Sequence, residues 1–258
     1  MKARCLRAVQ FLVVAGVLAG AASVKAQGPG PLSPGNYVQD PLQLMLDCRA
    51  VQDKATGFTA TFTKHERIKG ELHEPETMLM KCRYSPLGVY FKWQKGPKSG
   101  REAIYCEGKN ENKVVGHQFP LPFNVKLVPN SADALKESIR PITMAGFRNM
   151  LDAMIKVTTA AKQAGDLKIF CTEDVYNGRP AYCILRILPR KPNYPYNLLY
   201  VHVDKDLMAP VHIAAYDWDD NLVSSYVFSD VKLNTPLTDK DFDINSSSYG
   251  FAKGLFGG

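Results

Sequence analysis

Between Thr77 and Lys109 the chain holds three strand-length runs, Thr77–Tyr84, Leu87–Lys95 and Arg101–Gly108. Ser85-Pro86-Leu87-Gly88 and Gly96-Pro97-Lys98-Ser99-Gly100 separate them, and both have the Pro/Gly chemistry of tight reversals. The segment therefore predicts an antiparallel meander. With symmetric turns Cys82 faces Val89 and Phe91 faces Tyr105. Period-two alternation then gathers Met78, Met80, Cys82, Val89, Phe91, Trp93, Ala103 and Tyr105 on one face, and Lys81, Arg83, Lys92, Gln94 and Glu102 on the other. Three aromatics and two methionines are more than a three-stranded piece can leave in water, so other elements must cover that face. Helices laid over a bent sheet meet this need with an apolar space beneath them or with a filled core, and the sequence leaves both open.

The flanking segments supply those helices. Asp40-Pro41-Leu42-Gln43 has the form of a helix start, with a capping Asp, Pro at the first helical position and Gln reaching back, and Leu44, Cys48, Val51 and Ala55 then share one face. A second helix is expected to be capped by Thr143 and stopped by Gly165. It carries Phe147, Met150, Leu151, Met154, Ile155 and Thr158 on one stripe. Phe58–Arg67 reads as a strand before the meander, with short strands at Lys113–Gln118 and Phe123–Val128 after it. From Lys168 to Leu233 the chain is nearly all strand, turning at Asn177-Gly178, Asp204-Lys205-Asp206 and Asp219-Asp220-Asn221. The expected class is α+β, mostly β: a strongly curved antiparallel sheet of roughly ten strands, a half-open barrel, with helices covering its concave face. We expect one domain over residues 40–245, preceded by a flexible leader at 27–39 and followed by a disordered Ser/Gly tail at 246–258.

Residues 1–26 read as an export signal. Lys2, Arg4 and Arg7 precede the apolar run Phe11–Ala22, and Val24-Lys25-Ala26 is a small-residue cleavage site. The run is too short to persist as a membrane anchor, so an extracytoplasmic location is expected, with no transmembrane segment in the mature chain. Removing the four Lys/Arg of residues 1–26 from the 32 in the chain leaves 28 against 25 acidic residues. That balance lacks the concentrated basic face that nucleic-acid recognition wants. Cys48, Cys82, Cys106, Cys171 and Cys183 remain in an oxidising compartment. Cys171 and Cys183 lie on the two arms of the hairpin at Asn177-Gly178, and a three-residue loop there places them opposite each other, which makes them the candidate bridge.

The chain carries no G-x-S-x-G, Walker loop, G-x-G-x-x-G or H-E-x-x-H, so we expect no catalytic centre. His65-Glu66 is the most tempting pair, but adjacent strand residues point to opposite faces. His65, His73, His117, His202 and His212 show no ligand spacing, and neither a metal nor a cofactor is expected. Lys136-Glu137-Ser138-Ile139-Arg140, ahead of the second helix, is either a polar rim to a binding site or a set of charges pairing with Arg101-Glu102.

Phe58-Thr59-Ala60-Thr61-Phe62-Thr63-Lys64 after a first helix, Tyr90-Phe91-Lys92-Trp93, and Val203-Asp204-Lys205-Asp206-Leu207-Met208-Ala209-Pro210-Val211 resemble the LolA/LolB-type periplasmic lipoprotein carriers. Phe62-Thr63-Lys64-His65-Glu66-Arg67, Gly100-Arg101-Glu102, Glu107-Gly108-Lys109-Asn110 and Lys136–Thr143 more specifically resemble a secreted domain-of-unknown-function family, number 1571, usually placed beside those carriers. The resemblance covers most of Pro41–Ile244. It implies a half-open barrel with a helical lid over an apolar cavity that receives acyl chains in the carriers. It also implies a lid-latching arginine, for which Arg83 is the nearest match. The expected function is non-catalytic binding or carriage of a hydrophobic small molecule or acyl chain, with envelope proteins as further partners. Its site would be Met78, Met80, Val89, Phe91, Trp93, Tyr105, Phe147, Met150, Leu151 and Met154. The alternatives are a structural or interaction module of the envelope with a filled core and, less favoured, an unrecognised enzyme.

Overall fold

The computed structural model describes residues 40–118 and 120–252. The export signal and the leader expected before residue 40 lie outside the described residues, as do residues 253–258. Among the described residues two α-helices, α1 (Pro41–Lys54) and α2 (Phe147–Gln163), accompany twelve strands. In chain order these are β1 (Gly57–Ile68), β2 (Glu71–Leu72), β3 (Glu76–Tyr84), β4 (Leu87–Trp93), β5 (Glu102–Cys106), β6 (Val114–His117), β7 (Val125–Leu127), β8 (Lys168–Tyr176), β9 (Arg179–Ile187), β10 (Leu198–Asp204), β11 (Ala209–Tyr216) and β12 (Leu222–Leu233). They form one antiparallel sheet in the order β7-β6-β5-β4-β3-β1-β12-β11-β10-β9-β8, with β2 attached to β1. The sheet does not close, so the expected half-open, mostly β architecture is the observed one. Its centre is the pairing of β1 with β12, which joins a meander from each half of the chain. A register shift between Thr59 and Thr61 interrupts that pairing. Asp230 takes a left-handed φ of 53° there and accepts a hydrogen bond from Thr61 Oγ1 at 3.1 Å, an irregularity of the kind that bends and twists a strand.

The expected face assignment of the meander holds, with one shift. Cys82 does pair with Val89, but Val89 rather than Phe91 faces Tyr105, because the reversal is centred on Pro97, one residue earlier than a turn symmetric about Lys98. A two-residue displacement preserves every face. On the inner face, α1 and α2 press on the β1 and β8–β12 half of the sheet. Leu44 and Cys48 of α1 and Phe147 and Leu151 of α2 are fully buried there with Phe58, Val201 and Ile213, and the rings of Phe58 and Phe147 stack at 4.3 Å. Arg148 ties the helices together. Its guanidinium donates to the carbonyls of Gln52, Asp53 and Ala55 at 2.7–2.9 Å, satisfying the end of α1, and lies 4.0 Å from the Tyr84 ring centroid.

Both helix starts differ in detail from expectation. Asp40 caps α1 through Leu42 N at 2.9 Å, but Gln43 bonds to Asp47 at 2.8 Å instead of reaching back. Val51 points outward, and the buried place on that turn goes to Gln52, which donates to the carbonyls of Leu207 and Met208. Thr143 does not cap α2. It lies in a 3-10 turn (Ile142–Met144), and the cap position belongs to Gly146, whose φ of 99° only glycine adopts freely. Gly165, with φ of 70°, ends α2 as expected.

Two further expectations are overturned. The hairpin between β8 and β9 turns on two residues, Asn177 and Gly178, both at positive φ, with Tyr176 opposite Arg179. Cys171 therefore pairs with Ile184, and Cys183 with Thr172, so the two cysteines stand on opposite faces and all five described cysteines are free and buried. The segment after residue 245 is not a disordered tail over 246–252. Phe242 and Phe251 are buried on the outer face of β4–β6 with Tyr90, Ile104, Cys106 and Val115. Gly250 N donates to Glu102 at 2.6 Å, and Asn124 exchanges two 2.9 Å bonds with Ala252. The outer face thus holds apolar side chains between the charged ones predicted for it, and the C-terminal segment covers them.

Candidate functional site

A cavity of about 450 Å³ lies between the inner face of the β1, β3–β7 and β12 half of the sheet and the irregular segment between β7 and α2. Its floor is Phe62, Met78, Met80, Phe91 and Phe228, with Trp93 and Tyr226 beside them. The Phe62 ring stacks on Phe91, Tyr226 and Phe228 at 4.8–5.8 Å. Pro129, Ala134, Ile142 and Met144 contribute the roof, which starts beyond Leu127 of β7, and Met150 closes the end that meets α2. Strand alternation explains the floor: Phe62, Met78, Met80 and Phe91 all have the parity that points inward. Leu121, Phe123, Val125 and Met144 line the opening while keeping 39–54% of their surface exposed.

Of the site residues expected from sequence, the structure brings Met78, Met80, Phe91, Trp93 and Met150 together on the cavity. Val89, Tyr105, Phe147, Leu151 and Met154 are buried but do not line it. For the three α2 residues the reason is that the helix packs on the other half of the sheet, so the cover over the cavity is the segment 128–146 rather than the helices. Sequence reasoning missed Phe62, Tyr226 and Phe228, although their alternation pattern was visible, and it missed the roof, which has no periodicity to read.

Charged groups fasten the roof to the floor. Glu66, 4% exposed, accepts from Tyr226 Oη at 2.5 Å, Ile139 N at 3.3 Å and Ser138 Oγ at 3.4 Å. Lys64 donates to the Glu137 carbonyl at 2.8 Å and lies 3.5 and 3.4 Å from the carboxylates of Glu66 and Glu76. Glu76 also accepts from Trp93 Nε1 at 2.8 Å and from Lys98, while Glu137 pairs with Arg101 and, at 3.0 Å, with Lys98. Burial alone would raise the Glu76 and Glu137 carboxyls, but their lysine and arginine neighbours hold both below the ordinary carboxylate range. Arg140 donates to Tyr196 Oη at 2.9 Å and sits 5.4 Å over the Tyr226 ring. Of the expected rim, Arg101 and Glu137 pair, and Arg140 clasps tyrosines. Glu102 instead faces outward, where it accepts from Tyr90 Oη at 2.8 Å and holds Gly250.

The remaining candidates fall elsewhere. Arg83 does not latch the helices. It faces outward, donating to the Pro86 carbonyl at 3.1 Å and to Asp239 at 2.8 Å, with its guanidinium 4.9 Å from the Phe242 ring, so it holds the C-terminal segment. His65 takes the strand face opposite Glu66, whose carboxylate is taken up in pinning the roof. Among the described residues no helix is long and apolar enough to cross a membrane.

No curated protein matches the sequence. Solved structures of similar shape include the lipoprotein LppX of Mycobacterium tuberculosis, at 14% identity and TM-score 0.47, with 80% of this chain and 100% of that one covered. They also include MucB in the Pseudomonas aeruginosa MucA/MucB complex, at 14% identity and TM-score 0.47, covering 79% and 61%. A LolA superfamily protein from Nitrosomonas europaea aligns at 10% identity and TM-score 0.31, covering 80% and 98%. A sequence-family model matches residues 55–251, and the chain belongs to the family it describes, Protein of unknown function (DUF1571).

Proposed function

We propose that the protein is an exported, non-catalytic binder or carrier that takes a hydrophobic small molecule or acyl chain into the cavity over β1, β3–β7 and β12. The observation that carries this reading is a space of about 450 Å³ walled by aromatic and methionine side chains, within the size range of small-molecule pockets. Each methylene moved from water onto such a wall contributes about 0.8 kcal/mol, so a chain is held without directional chemistry. The exposed apolar side chains at the opening, Leu121, Phe123, Val125 and Met144, offer an amphiphile an apolar surface at the mouth of the cavity. The charged groups beside the cavity are consumed by the roof, which supports binding rather than turnover. Lys2, Arg4, Arg7 and the apolar run after them support export.

Mass spectrometry of the purified protein for co-purifying lipid, combined with displacement of a fluorescent fatty acid, tests the proposal. Saturable one-to-one uptake is the expected result. The filled core beneath α1 and α2 favours a second reading, an interaction module of the envelope. Absence of both lipid and probe binding would select that reading.

A further inference from the structure

On the outer face of the other half of the sheet, four strands bring ligand-type side chains into one row. Thr172 pairs with Cys183, Cys183 with His202, and His202 with His212, so these residues of β8–β11 share one face, with Asp174 and Tyr176 of β8 beside them. A carboxylate oxygen of Asp174, Cys183 Sγ and a ring nitrogen of His202 all lie within 4.8 Å of one another. His202 Nε2 is 3.0 Å from Asp174 Oδ2, and its Nδ1 is 3.0 Å from His212 Nδ1. The Tyr176 ring stacks on both imidazoles, at 4.6 and 4.9 Å, which fixes their planes.

We propose that Asp174, Cys183 and His202 bind a first-row transition metal ion of the zinc type, with His212 as the positioning residue that sets the His202 tautomer. A carboxylate, a thiol and an imidazole form a mixed O/S/N set of the kind zinc, cobalt and copper take, and magnesium and calcium do not. Tetrahedral ligands at zinc bond lengths stand roughly 3.3–3.8 Å apart, so modest side-chain rotations close the present triangle. With the metal on the Asp174 side of His202, Nε2 is the ligating atom and the neutral ring carries its single proton on Nδ1, which donates to His212 Nδ1. This is the outer partner that ligating histidines ordinarily have. Cys183 gives up its thiol proton to bind. Asp174 is 45% exposed, which leaves a way in and room for a water or an outside ligand at the fourth position. The site is independent of the cavity, which lies on the other face.

Cobalt(II) titration of the chelator-stripped full domain tests the inference. The expected result is a one-to-one complex with a thiolate-to-cobalt charge-transfer band, bleached when zinc is added. Cys183→Ser should abolish the band, and Asp174→Asn or His202→Asn should weaken cobalt binding at least 100-fold. His212→Asn should weaken it about 10–100-fold, as loss of an outer partner does. Cys171→Ser, on the inner face, should change nothing. No spectral change in the natural sequence at excess cobalt would overturn the proposal without recourse to any variant. A band that survives Cys183→Ser would do the same. Circular dichroism on each variant separates lost ligation from lost folding.

Discussion

Met150 and Met154 sit one turn apart on α2 and are equally buried, at 6% and 7% exposure, yet only Met150 lines the cavity. Met150→Gln and Met154→Gln make a matched pair, and a neutral amide avoids creating a carboxylate partner for the buried Arg186, which bonds to the Met154 carbonyl. At position 154 the change loses about 1.5–3 kcal/mol of methionine burial and strands an amide for about 1–3 kcal/mol more. The sum, roughly 2.5–6 kcal/mol, is a large part of a domain's typical stability of about 5–15 kcal/mol. It corresponds to a fall in Tm of roughly 5–24 °C for a chain of this size. At position 150 the amide can remain hydrated in the cavity, so the stability loss should be the smaller of the two. The order reverses for uptake. The amide introduced by Met150→Gln lies in the path of a hydrocarbon, and about 1–3 kcal/mol of uncompensated desolvation weakens a fluorescent fatty acid roughly 5–150-fold. The variant at 154 should bind as the natural sequence does at temperatures where it is folded. Denaturant melts and probe titration on both proteins read the two effects separately. Equal weakening of uptake, or none at position 150, would refute the assignment of the cavity to this end of α2.

Other expectations follow from the same geometry. Gly146→Ala places a methyl 2.9 Å from Cys82 Sγ and 3.3 Å from the Tyr84 ring at a φ of 99°. Strain and crowding together should cost about 2–5 kcal/mol in denaturant unfolding, and a neutral result would mean the α2 entry is looser than drawn. Glu76 and Glu137 have folded carboxyl values below the unfolded value of about 4.3, so in that window the unfolded chain binds more protons. Their contribution is complete above it and is lost as pH falls through the folded values. Thermal melts from pH 6 to about 3 should therefore show falling stability, and Glu76→Gln should flatten the slope. Burial raises the thiols of Cys48, Cys82 and Cys183 to about 12 and that of Cys171 to about 11. A thiol reagent in chelator-containing neutral buffer should leave the native protein untouched, and all five described cysteines should react after denaturation. A shortfall in denaturant would reveal a disulfide that the register between β8 and β9 does not allow.

Much of the fold was legible in the chain because its determinants are local. The inward parity of Met78, Met80, Phe91 and Trp93 follows from alternation alone, and it survived a two-residue error in how β4 meets β5. Asp40 as a cap and Gly165 as a stop depend on one helical turn each. The cysteine pairing failed for an equally local reason. Counting three loop residues where the hairpin uses two inverts the relation between Cys171 and Cys183. The C-terminal segment failed for a different one. Its Ser/Gly composition argues for disorder, but Phe251 finds a partner surface about 150 residues earlier in the chain, against Ile104 and Tyr90.

The sequence by itself determined which side chains each strand turns to which face, where the helices run, and that a greasy inner surface needed a cover. Only the tertiary structure decided what the cover is. It divided the inner surface into a half filled by α1 and α2 and a half left hollow under residues 128–146, and it brought Cys183, His202 and His212 into one cross-strand row with Asp174 beside them. The physical reason is range: alternation and capping are written in a few neighbouring residues, whereas an enclosed space or a cluster of ligands exists only once strands far apart in the chain have settled their order and register.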